Sequence, residues 1–172
     1  MDNIYKSEMW TKEAGKIIFE YSELYKISQK YTLHRDNGPA LIHYHNNGNI
    51  KEESWFQNGK THNPNGPAFV SYYENGFKKE EKWSSFKSNS MSTLHQEDGP
   101  AVIMYYENHK NVKMYEIWAV DGKYSNYRGP AIVQYLPDGV IDTNTCEYYI
   151  NGKIYEEHDW KTEVSKQMLD LL

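Results

Sequence analysis

Apolar and polar residues alternate over short runs along most of this chain, and each run ends at a turn signal rich in Asn, Asp or Gly. A period of two is typical of β-strands that bury one face, since successive side chains point to opposite sides of a sheet. The runs occur in pairs, and Asn-Gly between alternating runs is a strong hairpin signal. The pattern therefore predicts four hairpins, with turns at Asn47-Gly48, Asn75-Gly76, His109-Lys110 and Gly139-Val140.

The same unit recurs in all four hairpins. A Gly-Pro-Ala triplet precedes each one, about every 30 residues, which is a spacing typical of repeat architectures. The second strand carries a large ring, at Trp55, Trp83, Trp118 or Tyr148, and three units close with a turn at Asn58-Gly59, Asp121-Gly122 or Asn151-Gly152. We predict an all-β fold in which serial antiparallel β-hairpin repeats form one elongated twisted sheet, with a short C-terminal helix.

The repeats divide the chain into three parts. Residues 1–33 lack the triplet but contain Glu8-Met9-Trp10, which is similar to a second strand, so we predict a degenerate N-terminal repeat or cap. Residues 34–155 hold the four repeats, and the Ser-rich segment 84–93 is predicted to be a mobile, protruding loop. In residues 156–172 the period changes, because Asp159 can cap a helix that places Trp160, Val164, Met168 and Leu171 on one face.

Counting outward from two-residue turns gives all four hairpins a common register. This register places each triplet alanine opposite the ring of its own unit, and it places Tyr44, Tyr72 and Tyr105 opposite Lys51, Lys79 and Met114. A small residue opposite a large ring suits a packed face, so we predict that this face is the core. The same face carries Glu53, Glu81 and Glu116.

Two interpretations of these glutamates remain open. They could form a carboxylate ladder that binds metal or acts as a general base. Alternatively, each could accept hydrogen bonds from a neighbouring turn or from His62, His95 or Tyr124, because a buried carboxylate must be paired. We favour the structural interpretation, since a packing solution repeats whereas catalysis needs one tuned site. The four rings and the three glutamates are accordingly predicted to be structural.

Few other side chains suggest reaction chemistry. His43 and His45 share one face of a strand near His34 and could bind a metal, but they match no spacing of a known structural metal site. We expect these histidines to be solvated or hydrogen-bonded. The single Cys146 lies outside any nucleophile motif and is expected to be a packed thiol. No catalytic residue, metal site or cofactor is predicted.

Composition narrows the classes of partner. The 172 residues carry a net charge of −5 with acids and bases interspersed, which argues against nucleic acid and anionic lipid. One cysteine is typical of a reducing compartment, and the chain has neither a signal-peptide pattern nor an apolar run near 18 residues. We therefore expect a cytoplasmic protein, in the host cytoplasm if it is viral, that does not contact membranes.

Two segments carry a family resemblance: His-Arg-Asp-Asn-Gly-Pro-Ala at 34–40 and His-Gln-Glu-Asp-Gly-Pro-Ala at 95–101. With the Tyr, Asn-Gly, Glu-x-Trp and Asn-Gly-Lys that follow, they resemble MORN-variant repeats of bacteriophages, giant viruses and bacterial antitoxin-like proteins. The resemblance covers about residues 33–155. The Tyr-x-Gly start and dense later glycines of the standard MORN unit are absent, which weakens a carry-over of phosphoinositide or membrane binding. The resemblance implies serial hairpins and a binding function, without catalytic residues.

We therefore predict a non-enzymatic protein-binding module, a viral or mobile-element protein that inhibits or decoys a host defence or toxin factor. The face opposite the core is irregular and aromatic, and binding is assigned to Phe69, Tyr73, Met104 and Tyr106, together with the loop 84–93. Two alternatives stay open. One is a nucleotide or nucleic-acid binder that uses stacked aromatic rings. The other is a hydrolase that uses the repeated Glu and His groups.

Overall fold

The structure is a computed structural model that describes residues 6–20, 23–85 and 93–169, and it divides into two compact units, Met1–Thr93 and Leu94–Leu172. The first unit contains β1 (Lys6–Thr11), β2 (Gly15–Glu20), α1 (Leu24–Lys30), β3 (Leu41–Tyr44), β4 (Ile50–Ser54), β5 (Phe56–Gln57), β6 (Lys60–Thr61), β7 (Phe69–Tyr72), β8 (Lys78–Lys82) and β9 (Ser84–Ser85). The short strand β10 (Thr93–Leu94) lies at the division between the units. The second unit contains β11 (Val102–Tyr105), β12 (Lys113–Ile117), β13 (Ala119–Val120), β14 (Lys123–Tyr124), β15 (Ile132–Gln134), a 3-10 turn (Thr143–Thr145), β16 (Tyr148–Ile150), β17 (Lys153–Tyr155) and α2 (Glu157–Leu169).

Antiparallel hairpins build both units. In the first, six strands form a ladder in the order β2-β1-β3-β4-β7-β8. In the second, three strands form a ladder in the order β11-β12-β15. The predicted fold class is confirmed, since the described chain is mostly β, its hairpins follow one another in series, and a short helix ends the described part. The sequence pattern did not predict α1, which buries none of its residues.

The register agrees with the prediction in the middle of each hairpin and differs at its turn. Ile42 pairs with Glu53 as expected, and the equivalent glutamates pair with Val70 and Ile103. Nearer the turns, the expected partners Lys51, Lys79 and Met114 are wrong. The tyrosines Tyr44, Tyr72 and Tyr105 lie instead opposite Ile50, Lys78 and Lys113.

The geometry of the turns explains this difference. In the first hairpin, His45 N–H donates to Asn49 O (2.8 Å) and Gly48 N–H donates to His45 O (2.9 Å), so the loop has three residues rather than two. Gly48 has a φ of +86°, the left-handed geometry that such a loop requires. A bulge then shifts the register between His43 and Tyr44 and restores the predicted pairing in the rest of the hairpin.

Two of the predicted ring residues join their hairpins to the next triplet through the backbone. Trp55 N–H donates to Ala68 O (2.8 Å), and Trp118 N–H donates to Ala131 O (2.7 Å). Trp10 N–H donates in the same way to Ala40 O (2.8 Å), so β1 takes the place of a second strand. The triplet alanines are at most 1% exposed, because two backbones approach each other there. The predicted rings are only half-buried: Trp55, Trp83, Trp118 and Tyr148.

Two-residue turns form the short hairpins β5–β6, β13–β14 and β16–β17, as predicted. The first residues of these turns, Asn58, Asp121 and Asn151, all have φ near +50°. The glycine that follows each of them also has a positive φ. Each turn binds to the segment before a triplet, since Gly59, Gly122 and Gly152 donate their N–H groups to Leu33, Leu94 and Tyr124 carbonyls at 2.8 Å.

The helix α2 packs on the last short hairpin. Trp160 and Val164 are 8% exposed and form a core with Ile150, and Trp160 Nε1–H donates to Asn126 O (3.0 Å). The helix begins at Glu157, so Asp159 lies inside its first turn rather than capping it. Met168 is 56% exposed, and Leu171 lies outside the described residues. Among the described residues, no helix is long and apolar enough to cross a membrane.

Candidate functional site

One face of the ladders carries the glutamates, and we call it the glutamate face. Glu81 and Glu116 are 6% and 7% exposed, whereas Glu53 is half-buried. Tyr72 Oη donates to Glu53 Oε2 (2.9 Å), and Tyr135 Oη donates to Glu116 Oε2 (2.7 Å). Both bonds join a hairpin to the following one. The partners of Glu53 and Glu116 are therefore tyrosines of the next hairpin. The predicted register had placed Tyr72 on this face without assigning it that role.

Lysines add charge pairing to two of these carboxylates. Lys78 Nζ lies 2.6 Å from Glu81 Oε1, and Lys113 pairs with Glu116 in the same way. Burial and the hydrogen bond to Glu116 raise the pKa of the Tyr135 phenol, and the same causes raise that of Tyr72 at Glu53. A carboxylate held by a protonated phenol and an ammonium group has few lone pairs left for a substrate or a metal. The geometry favours the structural interpretation of the glutamates.

The turn residues also join neighbouring hairpins. His45 Nε2 lies 2.9 Å from Tyr72 O, and Tyr106 Oη donates to Tyr135 O (2.7 Å) from the equivalent position. Asn47 Nδ2 adds a bond to Glu74 O (2.8 Å) in the first unit. Tyr106 was predicted to bind a partner, but its hydroxyl proton is engaged within the chain, so it has no donor left for a partner.

The opposite face of the first unit is largely polar. Phe69, a predicted binding residue, lies under Lys82 Nζ at 5.1 Å from the ring centroid, and Lys82 also pairs with Glu80 Oε2 (2.8 Å). Tyr73, also predicted to bind, lies 5.7 Å from Lys79 Nζ. These rings are therefore covered in part by lysines of their own hairpin, which reduces the apolar area that they offer to a partner.

A serine, a histidine and a glutamate are neighbours in one row of that face. Ser7 Oγ lies 2.5 Å from His43 Nδ1, and His43 Nε2 lies 3.6 Å from Glu52 Oε1. Ser7 is 1% exposed and His43 is 3% exposed, so no substrate can reach the hydroxyl in this conformation. Burial lowers the pKa of His43, against a smaller opposing effect of Glu52. The group is a buried polar pair rather than a nucleophile with its base.

The opposite face of the second unit is mostly apolar, with Gln134 beside Tyr115 as its polar member. The pairing places Met104 beside Tyr115 in one row, and Ile117 beside Ile132 in the next. All four are half-buried, whereas Val102 in the same row as Ile117 is 2% exposed. We call Met104, Tyr115, Ile117 and Ile132 the second-unit apolar face. Three strands hold these side chains at fixed spacing, so the face is rigid.

Sequence reasoning found part of this face and missed the rest. Of the four predicted binding residues, Phe69 and Tyr73 belong to the first unit, and Met104 and Tyr106 belong to the second. Tyr115 and Ile117 were not assigned to binding, although their alternation with Glu116 places them on the face opposite the glutamates. Residues 86–92 of the predicted loop 84–93 lie outside the described residues.

Each of the three histidines considered as metal ligands is hydrogen-bonded to a different part of the chain. His34 Nδ1 accepts from Asn58 N–H (3.2 Å), while His43 and His45 bind Ser7 and Tyr72 as described above. In the part of the chain that the structure describes, no three His, Cys, Asp or Glu side chains are grouped so that they could hold a metal ion. Burial raises the pKa of the Cys146 thiol, whose Sγ lies 3.6 Å from Asp142 O, so it is a poor nucleophile.

Comparison with protein-family models, curated proteins and solved structures gave no match.

Proposed function

We propose that this protein is a non-enzymatic protein-binding module and that the second-unit apolar face is its contact surface. The observation that carries the proposal is the grouping of Met104, Tyr115, Ile117 and Ile132, four half-buried apolar side chains, on adjacent strands. Tyrosine and methionine are enriched at protein interfaces, where their desolvation supplies affinity.

The repeat itself does not require this apolar surface. In the third repeat, the residues on either side of the glutamate are Tyr115 and Ile117. The residues at these two positions are Glu52 and Ser54 in the first repeat and Glu80 and Lys82 in the second. Because the first two repeats fold with polar residues at these positions, folding does not explain why the third repeat carries an apolar pair there. Side chains already ordered by a ladder lose little entropy on binding, which favours association.

The alternatives have weaker support. A nucleic-acid binder needs cations beside its stacking rings, whereas Lys82 is paired with Glu80 and Lys113 with Glu116. A hydrolase needs an accessible nucleophile or base, and Ser7 and His43 are buried. We further propose that the module inhibits a host factor by covering its surface. The resemblance to viral and antitoxin-like repeats supports the binding function on which this rests.

Affinity capture from host-cell lysates tests the proposal. The intact protein is expected to retain a specific protein. The double variant Tyr115→Glu, Ile117→Ser should lose that protein while keeping its fold, because it installs the residues that the first repeat carries at equivalent positions. Melting temperature and circular dichroism check that the variant is folded.

A matched control removes an exposed apolar side chain elsewhere. Ile18 is 63% exposed on β2 of the first unit, so Ile18→Ser should leave the capture unchanged. Equal capture by the intact protein and the double variant would show that the contact surface lies in another part of the chain. A purified protein that hydrolyses a substrate, or that carries a bound nucleotide, would overturn the binding function itself.

A further inference from the structure

Equivalent tryptophans of the repeats differ in what lies against them. In the first unit, the guanidinium of Arg35 covers the ring of Trp10, with Cζ 3.9 Å from the ring centroid. Arg35 Nη1 also donates to Pro39 O (3.1 Å). The chain thus binds a guanidinium group on a repeat tryptophan by combining a cation–π contact with a hydrogen bond.

The equivalent pair in the second unit is Trp118 and Asn126, and the first unit has a pair of the same kind in Trp55 and Asn63, whose Nδ2 donates to Pro67 O (2.9 Å). Both Trp10 and Trp118 donate their N–H groups to the next triplet alanine, and Asn126 Nδ2 donates to Pro130 O (2.9 Å) as Arg35 does to Pro39 O. Asn126 also accepts from Arg128 N–H (2.8 Å) through Oδ1. The asparagine is too short to cover a ring, and both polar atoms of its amide bond to the backbone.

A cleft of about 150 Å³ lies at this position. Its lining includes Trp118, Val120, Asn126, Tyr127, Glu97 and Arg128. Pockets for nucleotides and drug-sized ligands span roughly 300–1,000 Å³, so this cleft has room for a single side chain. Its size points to a residue of a macromolecular partner rather than to a small-molecule cofactor.

The charges at the mouth of the cleft favour a cation. Arg128 Nη2 lies 3.3 Å from Asp98 Oδ1, so this guanidinium already has a carboxylate partner. Glu97 also lines the cleft, and its carboxylate is highly exposed. The two carboxylates outnumber the guanidinium by one negative charge, which favours a bound cation, and His95 Nε2, 3.8 Å from Glu97 Oε1, adds a positive charge only when it is protonated.

We propose that this cleft, the Trp118 cleft, binds an arginine side chain of a protein partner. The guanidinium would lie against Trp118, as Arg35 lies against Trp10, and would pair with Glu97. This inference rests on the proposed function only for the statement that the arginine belongs to a protein, because the cleft itself can be tested with a small probe.

The test is a titration with N-acetyl-arginine amide, followed by NMR of the tryptophan indole N–H signals. We expect a saturable shift of the Trp118 signal, assigned with Trp118→Phe. N-acetyl-citrulline amide has the same shape without the charge, and we expect it to bind about tenfold more weakly, the size of a cation–π contribution with an ion pair. Equal shifts with both probes would overturn the proposal.

The repeat supplies matched variants. Asn126→Arg should place the chain's own guanidinium in the cleft, as Arg35 does at Trp10, and should abolish the shift. Arg35→Asn should free the part of the Trp10 ring that Arg35 covers, with Lys16 Nζ still 5.2 Å from the ring centroid, and should produce a new arginine-dependent shift of the Trp10 signal. If Asn126→Arg does not fold, Glu97→Gln at the exposed rim serves instead and should weaken arginine binding while leaving citrulline binding unchanged. Undiminished arginine binding in these variants would refute the assignment.

The two proposals fail separately. Loss of protein capture in the Tyr115→Glu, Ile117→Ser variant, with the arginine titration intact, would support both. Normal protein capture with no arginine-dependent shift would refute the proposal that the cleft binds arginine and would leave the protein-binding function standing. An arginine-dependent shift without any captured protein would support arginine binding at the cleft and would refute the proposed protein-binding function.

Discussion

Removing the hydroxyl of Tyr135 tests whether the tyrosine–glutamate bonds hold successive hairpins together. Tyr135 Oη donates to Glu116 Oε2 at 2.7 Å, and Glu116 is 7% exposed. Tyr135→Phe keeps the ring and deletes only this bond. A hydrogen bond to a charged group contributes about 1.5–3 kcal/mol, and water has little access to replace it here. We therefore expect the free energy of unfolding to fall by about 2 kcal/mol at pH 7.

The equivalent variant in the first unit supplies the comparison. Tyr72 donates to Glu53 at 2.9 Å, but Glu53 is half-buried, so water can hydrate its carboxylate when the phenol is gone. Tyr72→Phe should cost about 1 kcal/mol. Urea unfolding followed by tryptophan fluorescence measures both, and a double-mutant cycle with Glu116→Gln isolates the Tyr135 pair.

The pH dependence gives a second check on the same bond. The folded-state pKa of Tyr135 is raised above the ordinary value near 10, so its contribution is fully present below pH 10 and is lost as the pH rises toward the folded pKa. The stability difference between the wild type and Tyr135→Phe should shrink above pH 10. A cost below about 0.5 kcal/mol, or a difference that stays constant up to pH 11, would refute the reasoning.

Three further predictions concern the core, a turn and a buried histidine. Ala68 is 1% exposed, so Ala68→Leu should lower stability by about 1–3 kcal/mol, and an unchanged melting temperature would contradict the close packing at the triplet. Gly76 has a φ of +82° in open space, so Gly76→Ala should cost about 1–2 kcal/mol from backbone strain alone, whereas Gly66→Ala, outside the left-handed region, should cost less; equal thermal shifts would argue against the turn geometry. The pKa of His43 is lowered in the folded state, so stability should be retained above pH 6.5 and fall as the pH drops below it, and His43→Gln should flatten this dependence in urea titrations at pH 7.5 and 5.

The sequence by itself determined the series of hairpins and the middle of their register. A period of two places Ile42 and Glu53 on one face, and only one pairing keeps the faces of all units in agreement. The short turns at Asn58, Asp121 and Asn151 were also readable, because these residues and the glycines after them tolerate a positive φ. These features depend on residues that are close together in the sequence, so the sequence pattern alone is enough to predict them.

Tertiary structure decided the partners of the side chains and therefore the candidate site. The bond from Tyr135 to Glu116 joins different hairpins, and the bulge beside Tyr44 came from the balance between a three-residue turn and the strands. The sequence alone did not reveal the apolar face, because folding places Tyr115 beside Met104 and places Ile117 beside Ile132, which belongs to the next hairpin. Likewise, Arg35 covers Trp10 whereas Asn126 leaves a cleft at Trp118, since reach and burial depend on side chains that meet only after folding.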